Sequence, residues 1–302
     1  MRRQLSFQLT FLCSLLWTAC GTADTSTPYE FVWPENGHPT VAKESYLERM
    51  HYRIVTQSAT YLLDSASGGL SSMIDQDNLD WIAYKPQPWD QYPASAASAY
   101  RGVPNLVFRG DWDGAGHPGH AKVVSEIIGA SQVLCHTPEG PWAWTWTFTP
   151  THVQLDVHDV SPSDPYWFLY EGPAGGKYQP QQTYYATNES HPAYSQFDHY
   201  NGEEEVALRD WFYFGNNNVE RTLFMLQVSK DTLVDHYSLL GSDTMGINSP
   251  DGMVVAGFGR APGAQPLLRK PNRFIFGFSE GEGISALAYA RKVREIESLE
   301  IE

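Results

Sequence analysis

Polar and apolar side chains alternate along the segment HVQLDVHDV, and the polar ones can exchange protons. The alternating polar residues are His152, Gln154, Asp156 and His158. Successive side chains of a β-strand leave opposite faces, so these four would share one face of a strand. We propose His152 and His158 as catalytic groups if that face lines a concave cleft. On a convex sheet the same residues would form its solvated side.

A Gly-rich segment, YRGVPNLVFRGDWDGAGHPGH, holds two carboxylates and two imidazoles close together in the chain. They belong to Asp111, Asp113, His117 and His120. Hard cations prefer carboxylate oxygens, whereas zinc also accepts imidazole nitrogens. The cluster predicts a site for a divalent cation, calcium or zinc, as cofactor. Its spacing matches no strong metal motif, so a loop ordered by ordinary hydrogen bonds stays an alternative.

A third candidate lies where the segment YWFLYEG meets a Gly-rich turn. Tyr170 and Glu171 end the predicted strand as catalytic candidates, and Lys177 follows the turn as a substrate-binding one. A tyrosine can exchange a proton with a sugar, while Lys or Arg can neutralise a uronate so that its α-proton becomes removable. That is lyase chemistry. Alternatively, Glu171 would pair with Asp156 or with one of residues 203–205 as the two carboxylates of a glycosidase.

Aromatic side chains occupy every second position of the segment PWAWTWTFTP. Trp142, Trp144, Trp146 and Phe148 would therefore share one strand face. Such rings fill a thick core between two sheets or form a platform on which sugars stack. We predict that this strand mainly builds the core beneath a cleft, with Trp144 reaching substrate. The preceding segment QVLCHTP predicts a strand in which Cys135 is a buried apolar residue and not a nucleophile.

Short strands joined by turns must position these groups. The chain of 302 residues is 14% aromatic and 18% charged, with 25 Gly and 20 Pro, which favours β-structure over helical bundles. The segment VAKESYLERMHYRI predicts a short helix, and GISALAYARKVREIESLEIE predicts a C-terminal helix over 284–299. We expect a mainly β fold, a large antiparallel β-sandwich of supersandwich or jelly-roll type, as a single domain over 45–302.

The first residues have the build of an export signal. A basic start, an apolar run and small residues precede Cys20. They predict a signal peptide over 1–19, followed by a polar tether over 20–44. Two processing routes stay open, acylation of Cys20 as in bacterial lipoproteins or ordinary cleavage nearby. We expect an exported protein of the periplasm or cell surface, anchored to the outer membrane if Cys20 carries a lipid.

The acidic charge of the chain limits its partners. With 35 acidic against 20 Lys and Arg residues, the formal charge is −15, which repels nucleic acid phosphates and anionic membrane surfaces. We expect no nucleic acid partner, and membrane contact only through an N-terminal lipid. The sequence also carries no Walker loop, Gly-x-Ser-x-Gly elbow or His-Glu-x-x-His motif, so it gives no sign of the chemistries that these motifs serve.

The order of these features resembles secreted bacterial carbohydrate-active β-sandwich proteins. The features are GGLSSMIDQDNLDWIAY, a Trp-rich strand leading to FTPTHVQLDV, then WFLYEG and a late GFGR. The galactose-mutarotase-like supersandwich is the first type suggested, and jelly-roll polysaccharide lyases come next. The resemblance implies His or Tyr as proton carriers, here His136, His152 and Tyr170, and an Arg at a uronate, here Arg101. We add Arg260 of the GFGR segment as a substrate-binding residue.

Together these residues indicate action on a polysaccharide or oligosaccharide. We predict degradation by lyase or hydrolase chemistry, in preference to epimerisation, on a glycan with or without uronic acid. The alternative from another class is a non-catalytic glycan-binding surface lipoprotein that presents polymer to partner enzymes. A structural protein of the cell surface is the third option.

Overall fold

Antiparallel strands dominate the computed structural model, which confirms the predicted mainly β class. It describes residues 33–35, 37–86, 96–106, 116–120, 122–194, 203–204, 210–240 and 252–300, so the predicted signal peptide and Cys20 lie outside the described residues. The strands are β1 Thr40–Tyr46, β2 Arg49–Val55, β3 Ala59–Asp64, β4 Leu70–Asp75, β5 Val124–Gly129, β6 Gln132–His136, β7 Ala143–Phe148, β8 His152–Asp159, β9 Phe168–Gly172, β10 Thr183–Thr187, β11 Ala193–Tyr194, β12 Glu203–Glu204, β13 Trp211–Asn216, β14 Arg221–Gln227, β15 Tyr237–Leu240, β16 Met253–Phe258, β17 Arg260–Ala261, β18 Gln265–Pro266 and β19 Asn272–Glu280. Two helices are described, a 3-10 helix over Ala96–Tyr100 and the α-helix α1 over Ala286–Ser298.

One sheet contains nine strands in the order β11-β10-β13-β14-β19-β8-β7-β6-β5. Neighbouring strands in it are antiparallel. The last strand of the described chain, β19, lies in the middle of this sheet, between β14 and β8. Its side chains alternate, because Phe274 and Phe276 face the main core while Ile275 belongs to a second apolar cluster on the other face.

The opposite layer joins two four-stranded sheets, with strand orders β1-β2-β3-β4 and β12-β15-β16-β9. The segment 101–103 lies between them. Leu70 of β4 donates its N–H to the Val103 carbonyl at 2.6 Å, and Gly102 exchanges two backbone hydrogen bonds with Glu171 of β9, at 2.9 and 3.0 Å. These bonds continue one sheet into the other, and we call the result the composite sheet. All described residues fall within one compact unit, Phe31–Glu302.

The main core lies between the nine-stranded sheet and the composite sheet, and the aromatic strand β7 fills much of it. Trp144 and Trp146 are fully buried, and both donate their indole N–H to the Gly68 carbonyl, at 3.2 and 3.0 Å. A buried indole needs such an acceptor. The predicted core role of this strand is therefore confirmed. The assignment of Trp144 to substrate contact is corrected, because burial leaves its ring no surface for a sugar.

Helix α1 covers part of the outer face of the nine-stranded sheet, the face that points away from the main core. Ile296 and the half-buried Val293 pack there against Tyr213 and Phe224. Lys292 is fully buried on the same side. The C-terminal helix predicted over 284–299 is confirmed with slightly shorter bounds. No helix of the described residues is both long enough and apolar enough to cross a membrane.

Ser285 caps the N-terminus of α1, where its side chain accepts a hydrogen bond from the backbone N–H of Ala288. Replacement by alanine leaves that N–H without its acceptor. We expect Ser285→Ala to lower the free energy of unfolding by about 1 kcal/mol, measured by urea denaturation. Ser298→Ala changes an exposed serine of the last turn and should cost much less. Equal losses in the two variants would contradict the capping role.

Two expectations about the N-terminal part are wrong. The segment predicted as a short helix forms the antiparallel hairpin of β1 and β2. Leu47 and Glu48 form its turn with positive φ angles of 50° and 59°, and Tyr52 and Ile54 enter the core at the two-residue period of a strand. Strand β1 begins at Thr40, so it starts inside the stretch that we assigned to the tether.

Candidate functional site around Glu171

Glu171 is a buried carboxyl group on the outer face of the composite sheet. In β9, Phe168 and Tyr170 point into the main core, whereas Leu169 belongs to an apolar cluster on the other face. Alternation along the strand puts Glu171 on the same outer face as Leu169. Its Oε2 atom is buried and makes no hydrogen bond within the described residues. Buried polar atoms without partners are rare, so such an atom marks a place for a further group.

The loop 116–120 covers this position because a glycine leaves room for it. Gly102 lies opposite Glu171 across the sheet, and a Cβ atom on Gly102 would lie 2.5 Å from Cδ of Pro118. The missing side chain lets the loop lie directly on the sheet. The loop thereby brings Nε2 of His117 to 3.7 Å from Oε2 of Glu171.

Burial controls the ionisation of these two side chains. It raises the pKa of Glu171 to about 8, an effect that the positive charge of Arg260 opposes. It lowers the pKa of His117 to about 4, although the hydrogen bond to the Tyr100 carbonyl acts in the other direction. At neutral pH the carboxyl group therefore keeps its proton and the imidazole is uncharged. A carboxylic acid in this state can donate a proton to a bound ligand.

His117 uses both of its ring nitrogens within the protein. Nε2 donates to the Tyr100 carbonyl at 2.5 Å, and Nδ1 accepts from the Gly119 N–H at 3.0 Å. A metal-binding imidazole needs a free lone pair, so these bonds exclude His117 as a ligand of the predicted cation in this conformation. The described residues hold no group of His, Cys, Asp or Glu side chains that could bind a metal. Two further predicted ligands lie outside the described residues, namely Asp111 and Asp113.

The two predicted substrate-binding arginines have different relations to Glu171. Arg260 begins β17, is buried, and acts on the ionisation of Glu171. Arg101 points the other way, because its neighbour Gly102 is the residue that shares a face with Glu171. Its Nη2 donates to the Gly252 carbonyl at 2.9 Å. The charge of Arg260 therefore acts on Glu171, whereas the side chain of Arg101 leaves the strand face that carries Glu171.

Sequence reasoning missed a set of buried polar residues beside this site. Nη2 of Arg49 lies 2.7 Å from Oδ2 of Asp64, and Nη1 of Arg49 donates to the Pro118 carbonyl in the covering loop. His51 shares a hydrogen bond of 2.9 Å with Oγ of Ser71. Arg49 thereby attaches the loop to β2, while the other contacts join β2 to β3 and β4. The two-residue alternation in RMHYRIV was the sequence signal for these residues, but the segment was predicted to form a helix.

The three histidines predicted as proton carriers do not reach Glu171. His136, His152 and His158 lie on β6 and β8, and they alternate there with residues of the main core. Their side chains therefore lie on the outer face of the nine-stranded sheet. His158 is exposed, with Nε2 at 3.2 Å from Oγ1 of Thr145. The prediction had placed the polar face of β8 and Glu171 in one catalytic site. The structure places them on different sheets.

Tyr170 and Lys177 also lie away from the Glu171 carboxyl group. Tyr170 points into the main core and donates its hydroxyl to the Trp81 carbonyl at 2.7 Å. Burial raises the pKa of Tyr170 well above its usual value, which opposes a role in proton transfer. Lys177 is exposed in the turn after β9. Cys135 is buried, as predicted, and burial raises the pKa of its thiol to about 12.

Neither proposed carboxylate partner comes close to Glu171. Oδ1 of Asp156 accepts a hydrogen bond from Arg273 at 2.7 Å on the nine-stranded sheet. Glu203 and Glu204 form β12, which β15 and β16 separate from β9. Three strand spacings separate the two backbones by about 14 Å. The third residue of the acidic run, Glu205, lies outside the described residues.

No known protein family matches this sequence, and no curated protein matches it either. Among solved structures, the protein HI1317 gives a TM-score of 0.48 at 9% identity, over 80% of this chain and 99% of its own. YeaD from Salmonella typhimurium, provisionally assigned as a mutarotase, gives 0.48 at 8% identity, over 80% and 94%. A TPR-domain containing protein from Parabacteroides distasonis gives 0.47 at 10% identity, over 78% and 48%. These distant likenesses concern only the coarse fold.

Proposed function

We propose that this protein acts on carbohydrate, with protonated Glu171 as the group that donates a proton to the sugar. The observation that carries the proposal is a carboxyl group whose Oε2 atom has no hydrogen bond within the described residues and whose pKa burial raises to about 8. Such a group is a proton donor at neutral pH. Carbohydrate as the substrate class rests on the resemblance of the sequence to carbohydrate-active β-sandwich proteins.

The reaction that we propose is β-elimination on a glycan that contains uronic acid. Solvent water removes the proton next to the uronate carboxylate, a carbon–carbon double bond forms, and the C4–O bond breaks as the leaving oxygen takes the proton of Glu171, whose carboxylate then regains a proton from the solvent. Arg260 places a positive charge near Glu171. Its guanidinium would hold the uronate and stabilise the negative charge that develops on that carboxylate, while Glu171 gives its proton to the leaving oxygen. Hydrolysis by paired carboxylates has less support, because Asp156 lies on the nine-stranded sheet and the strand of Glu203 and Glu204 is three strands away from that of Glu171.

Export belongs to the same proposal. A polysaccharide is too large to enter a cell, so an enzyme that degrades it acts outside the cytoplasm. The basic start and the apolar run before Cys20 support secretion. Acylation of Cys20 would hold the protein at the periplasm or the cell surface through its lipid.

The exchange Glu171→Gln tests the catalytic role. Glutamine keeps the shape of the side chain but has no acidic proton, so we expect the rate to fall by about 100-fold. The measurement follows ultraviolet absorbance of unsaturated products and new reducing ends together, on pectate, alginate and neutral polysaccharides. The matched control is Glu139→Gln, which changes an exposed glutamate and should leave the rate unchanged.

Each outcome of this assay has a separate meaning. Absorbance that rises with reducing ends supports elimination, whereas reducing ends alone would replace it with hydrolysis. Equal rates in Glu171→Gln and the unchanged protein would remove Glu171 from the reaction. Binding of a polymer with neither signal would favour the non-catalytic glycan-binding alternative.

A further inference from the structure

Five amide side chains come together where the loop after β9 meets the end of β13 and the turn that follows it. Two come from the loop and three from the end of the strand and the turn, namely Gln179, Gln182, Asn216, Asn217 and Asn218. The loop can approach because Gly175 has no side chain, since a Cβ atom there would lie 2.6 Å from Cβ of Asn216. We call these five residues, together with Tyr194 of β11, the amide patch.

Hydrogen bonds between side chains hold the amide patch in one arrangement. Oε1 of Gln179 accepts from Nδ2 of Asn216 at 3.3 Å and from Nδ2 of Asn218 at 3.1 Å. Oε1 of Gln182 accepts from Nδ2 of Asn217 at 3.1 Å, and Oδ1 of Asn217 accepts from the Tyr194 hydroxyl at 3.2 Å. Because these side chains are already ordered, a ligand that binds to them loses little further side-chain entropy.

The same network leaves hydrogen-bonding groups of both kinds unused. The Nε2 groups of Gln179 and Gln182 and the Oδ1 atom of Asn218 make no hydrogen bond within the described residues. Asn217 and Asn218 are exposed, and the two glutamines are half-buried. A hydroxyl group both donates and accepts hydrogen bonds, so the neighbouring hydroxyls of a sugar match a surface that presents donors and acceptors side by side.

Tyr194 adds an exposed aromatic ring beside these amides. The residue is 40% exposed, and the pairing of β11 with β10 places it opposite the buried Tyr184. The two rings meet at 87° with their centres 6.4 Å apart. This one neighbour covers only part of the Tyr194 ring, and the rest faces solvent. An exposed ring whose hydroxyl is held by a partner offers an apolar surface of fixed orientation to the C–H face of a sugar.

The segments around the amide patch carry charges of both signs. The cations are Lys177, Arg221 and Arg291, and the carboxylates are Asp77, Glu220, Glu280 and Glu282. Arg221 pairs with Asp77 and Glu280, and the charge of Arg291 acts on Glu282. Lys177 and Glu220 are both exposed and opposite in sign. Since neither sign dominates and the patch itself is uncharged, its surroundings favour neither a polyanion nor a polycation.

We propose that the amide patch binds a neutral oligosaccharide. The Tyr194 ring contacts the C–H face of one sugar, and the unused groups of Gln179, Gln182 and Asn218 form hydrogen bonds with its hydroxyls. The strands of the patch belong to the nine-stranded sheet, whereas Glu171 lies on the composite sheet. The inference therefore does not rest on the proposed reaction. The patch would hold a polymer on the surface of the protein, apart from the reacting sugar.

Isothermal titration calorimetry with defined hexasaccharides tests the proposal. The neutral probes are cellohexaose, xylohexaose, maltohexaose and mannohexaose, and the acidic probe is hexagalacturonate. We expect at least one neutral probe to bind, and to bind more tightly than the acidic one. Tyr194→Ala should weaken that binding by about tenfold, because the sugar loses its contact with the ring. Leu287→Ala is the control, since Leu287 is an apolar residue of α1 that is 81% exposed and does not belong to the patch.

A second pair of variants tests the amides. Gln179→Leu keeps the approximate size of the side chain but removes its amide, so it should also weaken binding by about tenfold. Gln265→Leu is the matched control, because Gln265 is an exposed glutamine of β18 and that strand belongs to a separate two-stranded sheet. If Tyr194→Ala fails to fold, as judged by circular dichroism, the comparison of these two glutamine variants decides.

Glu171→Gln separates this proposal from the proposed reaction. It should bind the neutral probe as the unchanged protein does, even if its catalytic rate falls. The proposal is overturned if no neutral probe binds or if hexagalacturonate binds more tightly than every neutral probe. It is also overturned if each patch variant behaves like its control, or if Glu171→Gln alone loses binding.

Discussion

Trp146→Ala should lower the free energy of unfolding by about 3–5 kcal/mol. Trp146 is fully buried between the two sheets. Its ring lies 6.1 Å from that of Phe148 and meets Phe276 edge-on at 6.0 Å. Removal of the indole leaves a cavity in a region where the neighbouring side chains have little freedom to close it. Equilibrium unfolding in guanidinium chloride, followed by circular dichroism, measures the loss.

Trp146→Phe separates the cavity from the lost hydrogen bond. Phenylalanine keeps most of the ring but has no N–H to donate to the Gly68 carbonyl, which still accepts from Trp144. We expect this variant to lose about 1–2 kcal/mol, well below the alanine variant. A loss under about 1 kcal/mol for Trp146→Ala would be incompatible with a buried indole.

The stability of the protein should fall as the pH rises from 6.5 to 8, and Glu171→Gln should remove that fall. The pKa of Glu171 is about 8 in the folded protein against an ordinary value of 4.5. The folded state thus holds this proton more tightly than the unfolded chain. Its contribution to stability is complete below pH 4.5 and is lost as the pH rises towards 8.

His117 changes the stability of the folded protein in the opposite direction, at lower pH. Its pKa is about 4 in the folded protein against an ordinary 6.5, so its contribution to stability grows as the pH rises between these values. The effect of Glu171 on stability is therefore clearest between pH 6.5 and 8, where His117 no longer contributes a slope.

Urea unfolding at a series of pH values measures the effect. Glu171→Gln should show a flat profile between pH 6.5 and 8, whereas Glu139→Gln should keep the slope of the unchanged protein. A slope that persists in Glu171→Gln would assign the effect to another group and would weaken the proposed proton donor.

Local periodicity predicts much of the fold. The two-residue alternation of β7 and β8 and the helical spacing of α1 come from neighbours in the chain, so they are visible in the sequence. The hairpin of β1 and β2 was missed, because Arg49 and Arg53, four residues apart, are also compatible with a helix face. In the fold Arg49 pairs with Asp64 of β3 and Arg53 with Glu44 of β1, and both contacts depend on strand pairing.

The candidate site could be predicted only in part. His117, Glu171 and Arg260 were each predicted as site residues from their residue types. They belong to three separate segments of the chain, so the sequence does not show that they form one site. They meet because the segment 101–103 pairs with β9 and because Gly102 has no side chain. Alternation along β8 likewise identified a polar face, yet whether that face meets the core, a cleft or solvent depends on the neighbouring sheet. Tertiary pairing of this kind has no local signal.

The central position of β19 governs the order in which the nine-stranded sheet can be completed during synthesis. A chain is made from its N-terminus, so β8 and β14 exist long before residues 272–280 do. Until then each has an open edge, a row of unpaired N–H and C=O groups that can pair with another chain. The newborn protein therefore holds two separate half-sheets while residues 228–271 are made. The middle of the finished sheet, its best protected part, is the last to escape the risk of aggregation.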